Sequence, residues 1–143
     1  GDALGGRPRD RSFYCEGVAD YERMAQAPEF RAGLDRVVGG AGKYRIALMC
    51  AERDPLTCHR CLLVGRALAA RGVGVRHVVD DGTLTQSQIE DALLALAGHA
   101  GEDLFAPRSE RLALAYRAQG RKHAFEEPEP PDGTGPRIRN NAD

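Results

Sequence analysis

The chain has 143 residues, 42% hydrophobic and 29% charged, with 20 Lys/Arg against 21 Asp/Glu and a formal net charge of −1. That length suits one domain with a real core and is short for two. The near-balanced charge leaves no global pull toward nucleic acid or a membrane surface, so any anion attraction must be local.

No apolar run approaches the roughly 18 residues that span a bilayer, and no signal peptide opens the sequence. A cytoplasmic location with no membrane partner is therefore expected, with the four cysteines reduced. Their uneven spacing suggests a site more than a disulfide framework. The sequence opens on Gly, and Gly5-Gly6-Arg7-Pro8 reads as a loop leaving an absent element, so a piece of a longer domain is expected.

From Gly1 to about Gly17 the chain reads as a Gly/Arg-rich loop anchored by Phe13 and Tyr14. Asp20 can cap a short helix carrying Tyr21, Met24 and Ala25. Pro28 suits the first turn of a second helix with Phe30, Leu34, Val37 and Val38 at helical spacing, stopped at Gly39-Gly40. Tyr44 to Cys50 reads as a strand buried on both faces, as in a parallel sheet. A polar loop, Ala51 to Thr57, leads to Thr57 as N-cap of a helix from Cys58 to about Arg71, with Cys61, Val64 and Leu68 on its packed face. Val75 to Val79 is a second strand ending in the Asp80-Asp81-Gly82 turn, which completes a right-handed βαβ unit.

Thr85 to Gln88 is a capping box for a helix with Ile89, Ala92, Leu93 and Leu96 inward. A last helix is expected from Ser109 to about Lys122, carrying Leu112, Tyr116 and Gln119 along one side. The expected fold is thus α/β: a βαβ core with a short parallel sheet flanked by helices, an N-terminally truncated three-layer domain. It would cover residues 1–125, with a disordered Pro/Gly-rich tail over 126–143. Two strands leave open edges, so a preceding βα stretch or a partner copy, as in a homo-oligomer, is expected to cover them.

Ligands of open parallel sheets bind beyond the carboxyl ends of the strands. That rule places Cys50, Asp80 and Asp81 on one edge, facing the helix start at Cys58. A helix N-terminus attracts anions and lowers a thiol's pKa. Cys58 is thus the preferred nucleophile, with Cys50 its neighbour or alternative and Glu52 or His59 the proton carrier. Arg60 and Thr57, with Arg7 upstream, are the anion-binding candidates, and a small anionic ligand or nucleotide is the expected partner. Cys61 falls on the packed helix face, His77 reads as a satisfied strand residue, and His99 and His123 receive no role.

Leu48-Met49-Cys50-Ala51-Glu52, Asp54-Pro55 and Cys58-His59-Arg60, with Leu4-Gly5-Gly6-Arg7-Pro8 upstream, resemble the bacterial and archaeal family known as domain of unknown function 488. The resemblance implies no established activity. It implies a further strand–helix–strand before the matched part, in a layout similar to rhodanese-like domains.

Four chemistries compete. A cysteine phosphatase needs Arg six positions after its nucleophile, but Leu56 follows Cys50 and Val64 follows Cys58 at that distance. A cysteine-dependent reaction on a phosphate- or sulfur-containing anion, or on a nucleotide, stays open. Zinc would find donors in Cys50, Cys58, Cys61 and His59, but adjacent Cys58 and His59 diverge by about 100° on a helix. No metal or other cofactor is therefore expected. Cys58-His59-Arg60-Cys61 also has the spacing of a redox pair, and a non-catalytic nucleotide- or nucleic-acid-binding module is the fourth reading.

Overall fold

A computed structural model describes residues 2–101 and 105–128. A two-residue hairpin, β1 (Tyr14–Cys15) and β2 (Val18–Ala19), lies inside the stretch expected to be loop. Glu16 and Gly17 turn it with φ of 52° and 79°, the left-handed pair that matches the twist of a tight hairpin. Helix α1 (Tyr21–Gln26) follows, capped by the Asp20 carboxylate, which accepts from the Glu22 and Arg23 amides. Helix α2 (Pro28–Ala41) begins on Pro28 and passes through Gly39-Gly40, ending a turn later than expected.

The largest departure comes next. Residues 45–50 have no regular secondary structure and pair with no strand among the described residues, and Tyr44 and Met49 are 71% and 91% exposed. The expected parallel strand is therefore not formed. An apolar run becomes a buried strand only where other backbone bonds to it, and here none lies alongside.

β3 (Arg76–Val79) pairs instead with β4 (Gly82–Thr85), antiparallel, with Val79 opposite Gly82 across the Asp80-Asp81 turn. The chain is thus mixed helix and strand with two small antiparallel sheets, and neither a βαβ crossover nor a three-layer parallel sheet is present among the described residues. The Asp-Asp-Gly turn is short enough to fold β4 back on β3, which supplies β3 with its partner locally.

The segment after Cys58 is not a plain α-helix. Arg60–Gly65 is π-helical and continues as α3 (Arg66–Ala69). Cys61 through Gly65 are all buried, five consecutive residues, because this segment runs between two apolar clusters. Leu63, Val64 and Leu68 pack with Met24, Phe30 and Leu34, whereas Leu62 joins Leu93, Leu94, Leu112 and Tyr116.

Helix α4 (Gln86–Leu96) keeps the expected capping box on Thr85, with Ile89, Leu93 and Leu94 inward; Ala92 and Leu96 face solvent. Helix α5 (Arg108–His123) carries Leu112, Tyr116 and Gln119 inward. Beyond it, Glu126 bridges to Val18 and the Glu127 amide donates to Gly17, so the first residues of the expected tail are bound to the hairpin. The tail from residue 129 lies outside the described residues. Among those described, no helix is long and apolar enough to cross a membrane.

Candidate functional site

Asp54 starts the local construction. Its carboxylate accepts from the Leu56 amide at 2.8 Å and caps a single 3₁₀ turn over Pro55–Thr57. The Thr57 hydroxyl donates to the Asp54 carbonyl at 3.1 Å, so Thr57 belongs to this turn and does not cap the following helix.

That cap is Cys58. Its backbone is extended, with φ −115° and ψ 131°, and its carbonyl accepts from the Cys61 and Leu62 amides. Its sulfur accepts from the Arg60 amide at 3.3 Å, the bond that a Ser or Asp oxygen makes at an ordinary N-cap. With Cys58 off the helix, the angular objection to Cys58 and His59 meeting at one point loses its premise.

The end of the irregular run over residues 45–50 brings Cys50 to the same place. Cys50 donates to Glu52 Oε2 at 2.6 Å and lies 3.4 Å from His59 Nδ1. One donor atom from each of Cys50, Glu52, Cys58 and His59 lies within 4.8 Å of all the others. Cys58 is fully buried, Cys50 and His59 are half-buried, and Glu52 is exposed, so the cluster is closed below and open above.

The electrostatics divide the two thiols. Burial and the hydrogen bond to Glu52 hold the proton on Cys50 and push its pKa up to about 11. Burial is also the largest influence on Cys58 and acts upward. Hydrogen bonds from His59, Cys50 and the Arg60 amide, with the His59 charge, together outweigh it and leave this thiol below its ordinary value. The Glu52 carboxyl is lowered, first by the bond from Cys50. Cys61, fully buried, is pushed up to about 12 by desolvation, which fits its expected packing role.

Two residues that sequence reasoning left without a role here support the cluster. Gly6 lies against the His59 ring: a Cβ there would stand 2.7 Å from His59 Cγ and 2.9 Å from its Cβ. The Gly5-Gly6 pair was visible in the sequence, but its partner was not. Tyr21 is pushed up by burial and then by the charges of Cys58, Cys50 and Glu52, so its phenol is electrostatically linked to the cluster. No local signal marks it.

The anion-binding candidates are more scattered. Arg60 contributes its backbone amide, and the Arg7 guanidinium stacks 4.9 Å from the Phe125 ring centroid while its charge helps lower Glu52. Asp80 reaches the site's loop through Arg53, at 2.6 Å on an exposed surface. His77 is buried and bonded to Gln86 at 2.7 Å, the satisfied strand residue that was expected.

No curated protein and no solved structure matches the chain. A family model described as "Domain of unknown function DUF488" matches residues 2–67, a span that contains Gly6 and all four clustered donors. The likeness to the DUF488 family is thus carried by residues 2–67, the segment that holds the clustered side chains.

Proposed function

We propose that Cys50, Glu52, Cys58 and His59 form a zinc-binding centre and that this domain's function depends on the metal. The observation that carries the reading is the mutual approach of four donors within 4.8 Å, two thiols, an imidazole and a carboxylate. A tetrahedral Zn²⁺ with ordinary bond lengths of about 2.0–2.3 Å needs donor–donor edges of about 3.5 Å. The Cys50–His59 separation of 3.4 Å already meets that. The Cys50–Glu52 separation of 2.6 Å is a hydrogen bond, which must open by roughly 1 Å as the thiol proton leaves.

Burial favours this reading over direct attack by a thiol. Cys58, the thiol with the lowered pKa, is fully buried, whereas the accessible Cys50 holds its proton. A metal ion needs only the lone pair of a buried thiolate, but a substrate needs an approach path. Glu52, the exposed corner, is the ligand that a water or substrate oxygen would displace.

A second reading uses the same residues without metal: Cys58 as nucleophile toward a small anionic molecule, with His59 or Glu52 carrying the proton and Arg60, Thr57 and Arg7 steering the anion. The lowered Cys58 thiol favours it.

Metal titration of reduced protein decides between the two. Zinc binding at one ion per chain is expected, with cobalt giving a tetrahedral thiolate spectrum. Cys50→Ser and Cys58→Ser should each lose at least about tenfold in affinity, and Cys61→Ala should keep wild-type stoichiometry. Absence of binding, or loss in Cys61→Ala alone, would overturn the zinc reading.

A further inference from the structure

A cavity of about 260 Å³ lies away from the four donors, between the β1–β2 hairpin, the start of α1 and one face of α5. Tyr21 is one wall, and its ring packs against Gly120, where a Cβ would come within 3.2 Å. The floor is apolar, with Ala19 and Leu62 both buried, and Tyr116 closes one side. Arg66 lies across the Tyr116 ring, 4.6 Å from its centroid.

The charges lining this cavity are unequally engaged. Asp20 is held by the α1 cap and by Arg23, and Glu22 is paired with Arg66 at 2.6 Å. Arg117 and Arg121 stand one turn apart on α5 at the mouth. Arg121 meets only the exposed Glu16, a pair that solvent weakens. Arg117 has no ion-pair partner among the described residues. The cavity therefore has an apolar, aromatic-walled body and a cationic rim on which Arg117 lacks a carboxylate partner among the described residues and Arg121 has only an exposed one.

We infer that this cavity binds a small ring-bearing anion, its ring against Tyr21 and Tyr116 and its phosphate or carboxylate on Arg117 and Arg121. The volume falls just below the roughly 300–1,000 Å³ usual for small-molecule sites, which limits the ligand to at most about the size of a mononucleotide. The inference does not depend on the zinc reading, because none of the four donors lines this cavity.

Cys15 lines the same cavity as a half-buried free thiol and serves as a reporter. Full-length protein is treated with iodoacetamide and the modified cysteine located by mass spectrometry. The probes are phenyl phosphate, benzoate, adenosine monophosphate and inorganic phosphate. Saturable protection of Cys15 by at least one ring-bearing probe is expected, with phenyl phosphate against benzoate distinguishing the headgroups.

Inorganic phosphate alone should protect at least about tenfold less well. Arg117→Gln should weaken protection by about tenfold, as expected for loss of one charge-assisted contact, whereas Arg9→Gln, at an exposed arginine that does not line the cavity, should leave it unchanged. The inference fails if no ring-bearing probe protects, if inorganic phosphate protects equally well, or if Arg117→Gln has no effect.

Discussion

Gly6→Ala isolates the support of His59 from the chemistry of the donors. The added methyl would meet His59 Cγ at 2.7 Å and Cβ at 2.9 Å; a χ1 change would carry the ring out of the cluster, and Cβ, fixed by the backbone, would still clash. Either the Leu4–Pro8 loop retreats or His59 moves bodily, and overpacking of this kind costs about 1–3 kcal/mol. The ring lies 3.4 Å from Cys50 and bonds Cys58, so a shift of even half an ångström spoils one corner of the centre. Loss of a supporting contact behind a metal ligand lowers affinity about 10–100-fold, or roughly 1.4–2.7 kcal/mol.

Zinc affinity, measured by competition with a chromophoric chelator alongside thermal unfolding of the metal-free protein, gives both quantities. Gly39→Ala is the control. Gly39 lies within α2 with open space around it, so Ala there should stabilise by about 0.5–1 kcal/mol and leave zinc binding alone. If Gly6→Ala folds normally and binds zinc as tightly as the wild type, the packing of Gly6 on His59 does not position the donor.

Two further outcomes follow from the same geometry. Cys50 keeps its proton up to about pH 11 in the metal-free protein, so zinc must expel it; affinity should rise by about tenfold per pH unit through neutrality, with proton release visible as buffer-dependent heats in calorimetry. A pH-independent affinity would remove Cys50 from the ligand set. Tyr116→Phe leaves the buried Gln86 amide without the oxygen it donates to at 2.6 Å and removes the donor to Glu90, so chemical denaturation should show a loss of about 1–3 kcal/mol with zinc affinity unchanged.

What the sequence disclosed was mostly local. Asp20, Pro28 and the Thr85–Gln88 box announce α1, α2 and α4 because a cap or a fixed φ acts within one turn. Cys50, Glu52, Cys58 and His59 were legible as site candidates because they sit close together along the chain, but the donor set weighed for zinc held Cys61 in place of Glu52. Pairing was not legible. The apolar run over residues 44–50 has the same composition whether or not another strand lies beside it, and only the tertiary arrangement leaves it exposed.

The cap at Cys58 was hidden because the Thr57 hydroxyl is the better capping acceptor; Asp54 and Pro55 claim it for an earlier turn. The π-helical stretch leaves no periodic trace, because five adjacent buried positions fit neither a helical stripe nor strand alternation. The arginines lining the cavity, Arg66 of α3 and Arg117 and Arg121 of α5, lie about fifty residues apart in sequence, and no local pattern joins the two elements.

The π-helical stretch also ties chemistry to endurance. It carries one residue more per turn than its α-helical continuation, and that offset lets neighbouring side chains, Leu62 and Leu63, anchor opposite halves of the molecule. Its first hydrogen bonds hang from the carbonyl of Cys58. Whatever grips that sulfur therefore also clamps the stem joining both halves, so an ion leaving the cluster should loosen the whole fold at once instead of emptying one corner of it.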